Sequence, residues 1–344
     1  MKWSIYILFV MTSIAMAIDM TDEMTPAAAS SAERGLAYLA TTQQSDGSWP
    51  GIGAQTGITA SCALSFMAYG HLPGSGKYGT TTAKALQYLI SNASGVGLIF
   101  RKNVGNNPMY HHGLSTLALA EAWGQTGDIR LRDALKRAVD LICSIQNSHG
   151  GWRYEANNSC GEDLSVTVMQ LMALRAAKDA GMAVPKEVID AAIAYVKSCH
   201  NSKGSGGDGG FSYGRRDGKS NWARTGAGIT SLQVAGEYKD KDVTEGVEYI
   251  MLCKPVGTGD VEETEWARWP YGVYYSTMGM YQAQSLGSWG KRAWTRFYPA
   301  MTSWILARQK PDGQWGAAGP PYYTTAMPLL ALAIPCRYLP VYQR

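Results

Sequence analysis

A short turn that couples glycine to an aromatic residue recurs along this chain, and that recurrence limits the fold more than any other feature. It reads Gln44-Ser45-Asp46-Gly47-Ser48-Trp49, then Gln146-Asn147-Ser148-His149-Gly150-Gly151-Trp152, Asp208-Gly209-Gly210-Phe211 and Gln309-Lys310-Pro311-Asp312-Gly313-Gln314-Trp315. Weaker copies are Gly97-Leu98-Ile99-Phe100 and Ala267-Arg268-Trp269. The aromatic anchors 49, 100, 152, 211, 269 and 315 lie 46 to 59 residues apart. Periods of that size mark stacked supersecondary units, none of which can bury its apolar face alone. Six units follow.

Each unit has the same order. In the third, Leu131, Leu135, Ala138, Ile142 and Ile145 recur at three- and four-residue steps around Arg132, Lys136 and Arg137, which predicts an amphipathic outer helix. After each turn comes a segment apolar around most of its circumference, at 58–67, 114–123, 166–177 and 327–334, which predicts a buried inner helix. Gly70, Gly124, Gly181, Gly236 and Gly287 are expected to end inner helices one to five, because glycine adopts positive φ freely. The anchor tryptophans should pack between outer and inner helices, with the turn glutamine satisfying open backbone groups.

The first 17 residues stand apart. Met1-Lys2, an apolar run from Trp3 to Val10 and Ala15-Met16-Ala17 read as a signal peptide cut after Ala17, so the mature chain is expected to be secreted or periplasmic. No later stretch is long and apolar enough for a transmembrane segment. Residues 18–30 are small, polar and aperiodic, a flexible lead into the folded body. Net charge is +4, from 31 bases interspersed with 27 acids, too mild for nucleic-acid binding. Six cysteines show no metal-ligand spacing and read mainly as small buried residues, with Cys160 and Cys199 the pair that neighbouring units could bring together as a disulfide.

The repeat grammar resembles the α/α-toroid superfamily of terpenoid cyclases and protein prenyltransferase β-subunits, whose units carry a Gln-x-x-x-Gly-x-Trp turn before each inner helix. The resemblance spans about residues 31–340 and is nearest to exported bacterial proteins with prenyltransferase/squalene-cyclase-like repeats, on Tyr323-Thr324-Thr325-Ala326-Met327 and Tyr338-Leu339-Pro340. It implies an all-α fold, an (α6/α6) toroid of six outer-inner helical hairpins, with residues 31–344 as one domain.

The catalytic signatures of such families are incomplete here. The cyclase motif Asp-x-Asp-Asp-Thr aligns with Asp163-Leu164-Ser165-Val166-Thr167, which lacks the acid that would protonate an alkene. Asp-x-Cys, needed for a prenyltransferase zinc, occurs nowhere. Cys199-His200 matches a lanthionine-cyclase pair superficially but falls where Gln146 sits in the third unit, which assigns it to turn packing. Cys160-Gly161-Glu162-Asp163 has Asp where an internal thioester requires Gln. No metal or cofactor is expected.

In a ring the inner helices run parallel, so their N-termini share one mouth. Candidate catalytic residues there are Asp163, His112 and Arg224, and candidate ligand-binding residues are His111, Ser165, Trp222, Trp269, Tyr271, Tyr274, Tyr275 and Tyr323. Asp163 and Ser165 equally suit helix capping, the histidines a structural role and each aromatic plain packing. Two functions remain open. One is binding of a small-molecule, lipid-like or carbohydrate ligand, or a partner, in the central cavity. The other is an enzyme (lyase, hydrolase or transferase) acting on a polysaccharide or isoprenoid at the same mouth.

Overall fold

The computed structural model describes residues 23–51, 53–101, 106–159, 161–215, 217–257, 269–316 and 320–343, which contain twelve α-helices and no strands. The outer helices are α1 (Pro26–Thr42), α3 (Gly79–Ser91), α5 (Ile129–Ser144), α7 (Lys186–Ser198), α9 (Lys241–Leu252) and α11 (Ser288–Leu306). Between them lie the inner helices α2 (Gln55–Met67), α4 (Pro108–Thr126), α6 (Leu164–Asp179), α8 (Trp222–Val234), α10 (Trp269–Gln282) and α12 (Pro321–Ala333). Each inner helix packs on the next, and α12 packs on α2, so the ring closes. Helix α1 packs against both α2 and α12, joining the two ends of the chain. Among the described residues no helix is long and apolar enough to cross a membrane.

Burial follows the sequence pattern. Every residue of α2 is buried, and in α10 every residue but Tyr271. In α5 only one face is buried, formed by Leu131, Ala134, Leu135, Ala138, Val139 and Ile142.

The repeated turn is a hydrogen-bonded device. Trp49, Trp152 and Trp315 are at most 2 % exposed, and each indole N–H donates to a carbonyl ten residues back, of Leu39, Ile142 and Ile305, at 2.8 Å. The anchor's backbone N–H donates to a threonine hydroxyl early in the following inner helix: Thr59, Thr167, Thr225 and Thr325 serve Trp49, Trp152, Phe211 and Trp315. The turn glutamine bonds its own loop and the next outer helix at once. Gln146 Nε2 donates to the Gly150 and Val188 carbonyls at 2.8 Å, and Gln309 to those of Gly313 and Ser31. In the first unit this residue is Gln43, bonded to Gly47 and Thr81, so the alignment on Gln44 was one residue off.

The turn glycine touches the next outer helix. Gly150 has φ of +90°, and a Cβ there would lie 2.1 Å from the Ala191 carbonyl oxygen. Gly47, Gly97 and Gly313 make the same approach to Lys84, Arg137 and Arg34. Gly150→Ala combines left-handed strain with a backbone clash, and should destabilise the chain by roughly 1–3 kcal/mol in urea unfolding. No measurable loss would mean that the loop shifts freely away from α7.

Several expectations need correction. In the second unit Ile99, not Phe100, is the anchor: Ile99 is fully buried and its N–H donates to His112, while Phe100 stacks on His111 at 5.4 Å. Helix α4 continues through Gly124 and ends at Gly127, with φ of +64°. Residues 26–30 are helical rather than a flexible lead, because Thr25 caps α1, Pro26 fits its first turn, and Met24 and Ala28 are buried. The signal-peptide segment and Cys160, hence the Cys160–Cys199 pairing, lie outside the described residues.

Candidate functional site at the mouth of the ring

The inner-helix N-termini enclose a cavity of about 360 Å³ to which all six helices contribute. Gly57 and Ile58 come from α2, Tyr110 and His111 from α4, Ser165 and Met169 from α6, Arg224 from α8, Tyr271 from α10 and Tyr323 from α12. Two loop tyrosines, Tyr154 and Tyr213, complete the wall. Gly57 admits His111, since a Cβ at Gly57 would lie 2.6 Å from the imidazole Nδ1.

One wall carries a hydrogen-bond chain. The Tyr110 hydroxyl lies 2.5 Å from Ser165 Oγ, and Ser165 Oγ donates to Asp163 Oδ1 at 2.5 Å. The same carboxylate oxygen accepts the Ser165 N–H at 2.6 Å, making Asp163 the N-cap of α6. Asp163 is fully buried, with the Tyr154 and Tyr213 hydroxyls, bonded to each other, near its carboxylate. Burial pushes the phenols of Tyr110 and Tyr271 well above their usual value, and the Asp163 charge adds to this, so both stay protonated donors at neutral pH. Arg224 supplies a cation at the rim, its guanidinium 5.6 Å from the centre of the Tyr213 ring. Burial lowers the pKa of His111, which keeps its ring neutral.

Five of the eleven candidates therefore line the cavity: His111, Ser165, Arg224, Tyr271 and Tyr323. Asp163 lies one bond behind Ser165. His112 needs correction as a candidate acid or base. It is fully buried, with Nδ1 accepting from the Ile99 N–H and Nε2 facing the Ala138 carbonyl, both at 3.2 Å. It does in the second unit what threonine does in the first, third, fourth and sixth, and burial brings its pKa down to about 4.

Trp222, Trp269, Tyr274 and Tyr275 also lie outside the wall. Trp222 packs on Gly272 between α8 and α10, and Trp269 sits edge-on to Trp304 at 5.4 Å. Tyr275 is fully buried behind Tyr271, their ring centres 4.4 Å apart. Tyr274 turns toward Tyr342 at 6.5 Å. Their rotation about the helix axis directs them at neighbouring helices. Tyr154 and Tyr213 escaped the sequence reading although each stands two residues after an anchor, Trp152 and Phe211. Cys199 is buried with its thiol pushed up to about 12, and His200 Nε2 faces the Gly209 carbonyl at 3.2 Å, an approach like that of the turn glutamines. Among the described residues no group of three or more His, Cys, Asp or Glu side chains is placed to hold a metal ion.

No protein-family model matches the chain, and no curated protein matches it either. Solved structures do. A variant of the type II terpene cyclase MstE from Scytonema, in complex with geranylgeranyl dihydroxybenzoate, is similar at a TM-score of 0.62 and 16% identity, covering 90% of this chain and 97% of that one. An inactive variant of an α-1,6-mannanase of Salegentibacter sp. HEL1_6, in complex with α-1,6-mannotriose, is similar at 0.64 and 10% identity, covering 90% and 99%. A D-mannose isomerase is similar at 0.61 and 11% identity, covering 91% and 99%. At such identities the likeness speaks for architecture alone. With its closed ring of inner helices, its outer layer and these neighbours, the chain has the α/α-toroid fold.

Proposed function

We propose that the chain binds a compact small molecule, lipid-like or carbohydrate, at the mouth of the ring, without the usual cyclase or zinc prenyltransferase chemistry. The observation that carries this reading is convergence: six helices separated in sequence direct half-buried tyrosines, a neutral histidine, one serine and one arginine into a single cavity. A volume of about 360 Å³ falls within the usual range for ligand pockets, roughly 300–1,000 Å³. The phenol faces suit a sugar ring or a hydrocarbon chain, while the hydroxyls and Arg224 supply a few directed polar contacts. Both ligand classes find a parallel in the same fold, since the MstE structure holds geranylgeranyl dihydroxybenzoate and the mannanase structure α-1,6-mannotriose.

The second reading, an enzyme acting on a polysaccharide or isoprenoid, is favoured by one observation. The Tyr110–Ser165–Asp163 chain leads from the cavity to a buried carboxylate and could carry a proton between them.

Mass spectrometry of the purified protein should reveal a retained ligand. Tyr271→Ala should weaken its binding by about 1–3 kcal/mol, roughly 5- to 150-fold by calorimetry, through lost stacking and burial. Asp163→Asn keeps a capping oxygen, so it should leave binding intact and lower turnover only if the site is catalytic. Affinity unchanged in both Tyr271→Ala and Arg224→Ala would place the ligand elsewhere.

A further inference from the structure

No acidic residue occurs between Glu265 and Asp312, yet this stretch carries Arg268, Lys291, Arg292, Arg296, Arg308 and Lys310. The whole chain has only four more bases than acids, so its positive balance is concentrated here. Lys291, Arg292 and Arg296 are exposed on the N-terminal half of α11, and among the described residues none forms an ion pair with a carboxylate. Several cations on other outer helices do pair. In α5 and α7, Lys136, Arg137 and Lys186 pair with acids four residues away, and in α9 Lys241 pairs with Glu245. Glu23 bonds α11 at the Trp294 indole, at 2.8 Å, rather than at a cation.

The placement also opposes helix electrostatics. Helices α5 and α9 begin with Asp128 and Asp240 as N-caps and α7 has Glu187 in its first turn, which suits the positive end of the macrodipole. Helix α11 has no acid in its first turn and instead carries Lys291 and Arg292 beside it. Among the described residues these cations therefore have no carboxylate partner, and Lys291 and Arg292 have no favourable dipole either. Half-buried Trp289 sits in the same turn, an indole beside cations, as at membrane interfaces. Exposed Arg337 lies over the ring of Tyr281, which packs edge-on against Trp294 of α11.

We propose that the N-terminal half of α11, with Arg337 beside it, is a docking surface for an anionic phospholipid bilayer. The lipid phosphates would pair with Lys291, Arg292 and Arg296, and Trp289 would rest at headgroup depth. A bilayer fits because the surface combines single-sign charge with an interfacial tryptophan, and each such cation adds a comparable increment of attraction near an anionic leaflet. The site is separate from the mouth of the ring, so it stands or falls independently of the ligand.

Flotation of the full chain with vesicles of phosphatidylglycerol and phosphatidylcholine tests it, against vesicles of phosphatidylcholine alone. Binding should need phosphatidylglycerol and weaken at high salt. The triple variant Lys291→Glu, Arg292→Glu, Arg296→Glu should lower partitioning at least tenfold. It should fold normally, since all three side chains are exposed and two of the new acids lie near a helix N-terminus. A control triple of equal charge change, Lys84→Glu, Arg132→Glu, Lys186→Glu, should lower it less than threefold. Equal losses in the two triples would reduce the effect to net charge and overturn the proposal. So would equal binding to the neutral vesicles, or retention by soluble polyglutamate with no binding to either vesicle.

Discussion

Trp152→Ala should destabilise the fold by about 3–5 kcal/mol, on the order of 10 °C in melting temperature. Trp152 is 2 % exposed, and three interactions meet at it. Its indole donates to the Ile142 carbonyl, its backbone N–H to Thr167 Oγ1, and its carbonyl accepts the Asp163 N–H at 3.0 Å. Truncation leaves a cavity between α5 and α6 and strands a buried carbonyl, so the transfer loss and the unsatisfied acceptor add. Trp152→Phe keeps most of the apolar area and loses chiefly the N–H, which should cost about 1–2 kcal/mol. A loss below about 1 kcal/mol for Trp152→Ala in urea unfolding would show that the turns do not anchor the layers.

The second large effect is in pH. Glu121, on inner helix α4, is 1 % exposed, and burial pushes its carboxyl up to about 8 against an ordinary 4.5. Oε1 accepts the Val341 N–H at 3.0 Å, which opposes that rise without cancelling it, while Tyr274 and Tyr342 crowd the same region. The folded chain thus holds a proton that the unfolded chain has released between those two values. The stabilisation is fully present below about pH 4.5 and is lost as pH rises through 8. A shift of this size corresponds to several kcal/mol at about 1.4 kcal/mol per unit. His112 works in the opposite sense, since its pKa is lowered from 6.5 to about 4 and its contribution is lost as pH falls. Comparing Glu121→Gln with the unaltered chain isolates the carboxyl: the amide still accepts from Val341 but does not titrate. Between pH 5 and 9 the unaltered chain should lose on the order of 3 kcal/mol more unfolding free energy than Glu121→Gln. Parallel curves would mean that water reaches Glu121 and leaves it ionised.

Part of the site was legible in the sequence. Periodicity located the starts of the inner helices, and parallel helices must bring those starts together, which is why His111, Ser165, Arg224, Tyr271 and Tyr323 share a cavity. The same reasoning could not separate His111 from His112. Adjacent helical residues point about 100° apart, so one imidazole reaches the cavity and the other the turn of its own unit. Tyr271 against Tyr274 and Tyr275 is the same case on α10.

What the sequence by itself determined is whatever repeats locally: the alternation of outer and inner helices, the glycines at the turns and the anchoring of Trp49, Trp152 and Trp315. These follow from helical periodicity and from backbone conformations that few residues adopt, and both act over a dozen residues or fewer. The tertiary structure alone decided what depends on distant partners. It seated Val341 on Glu121, 220 residues away in sequence, and brought Tyr110 to Ser165, 55 residues away, in the wall of the cavity. Among the described residues it also left Lys291, Arg292 and Arg296 of α11 without carboxylates while Lys136 of α5 and Lys186 of α7 found theirs. The physical reason is common to all three: burial and pairing depend on the rotation of each helix against its neighbours, which the closure of the ring sets.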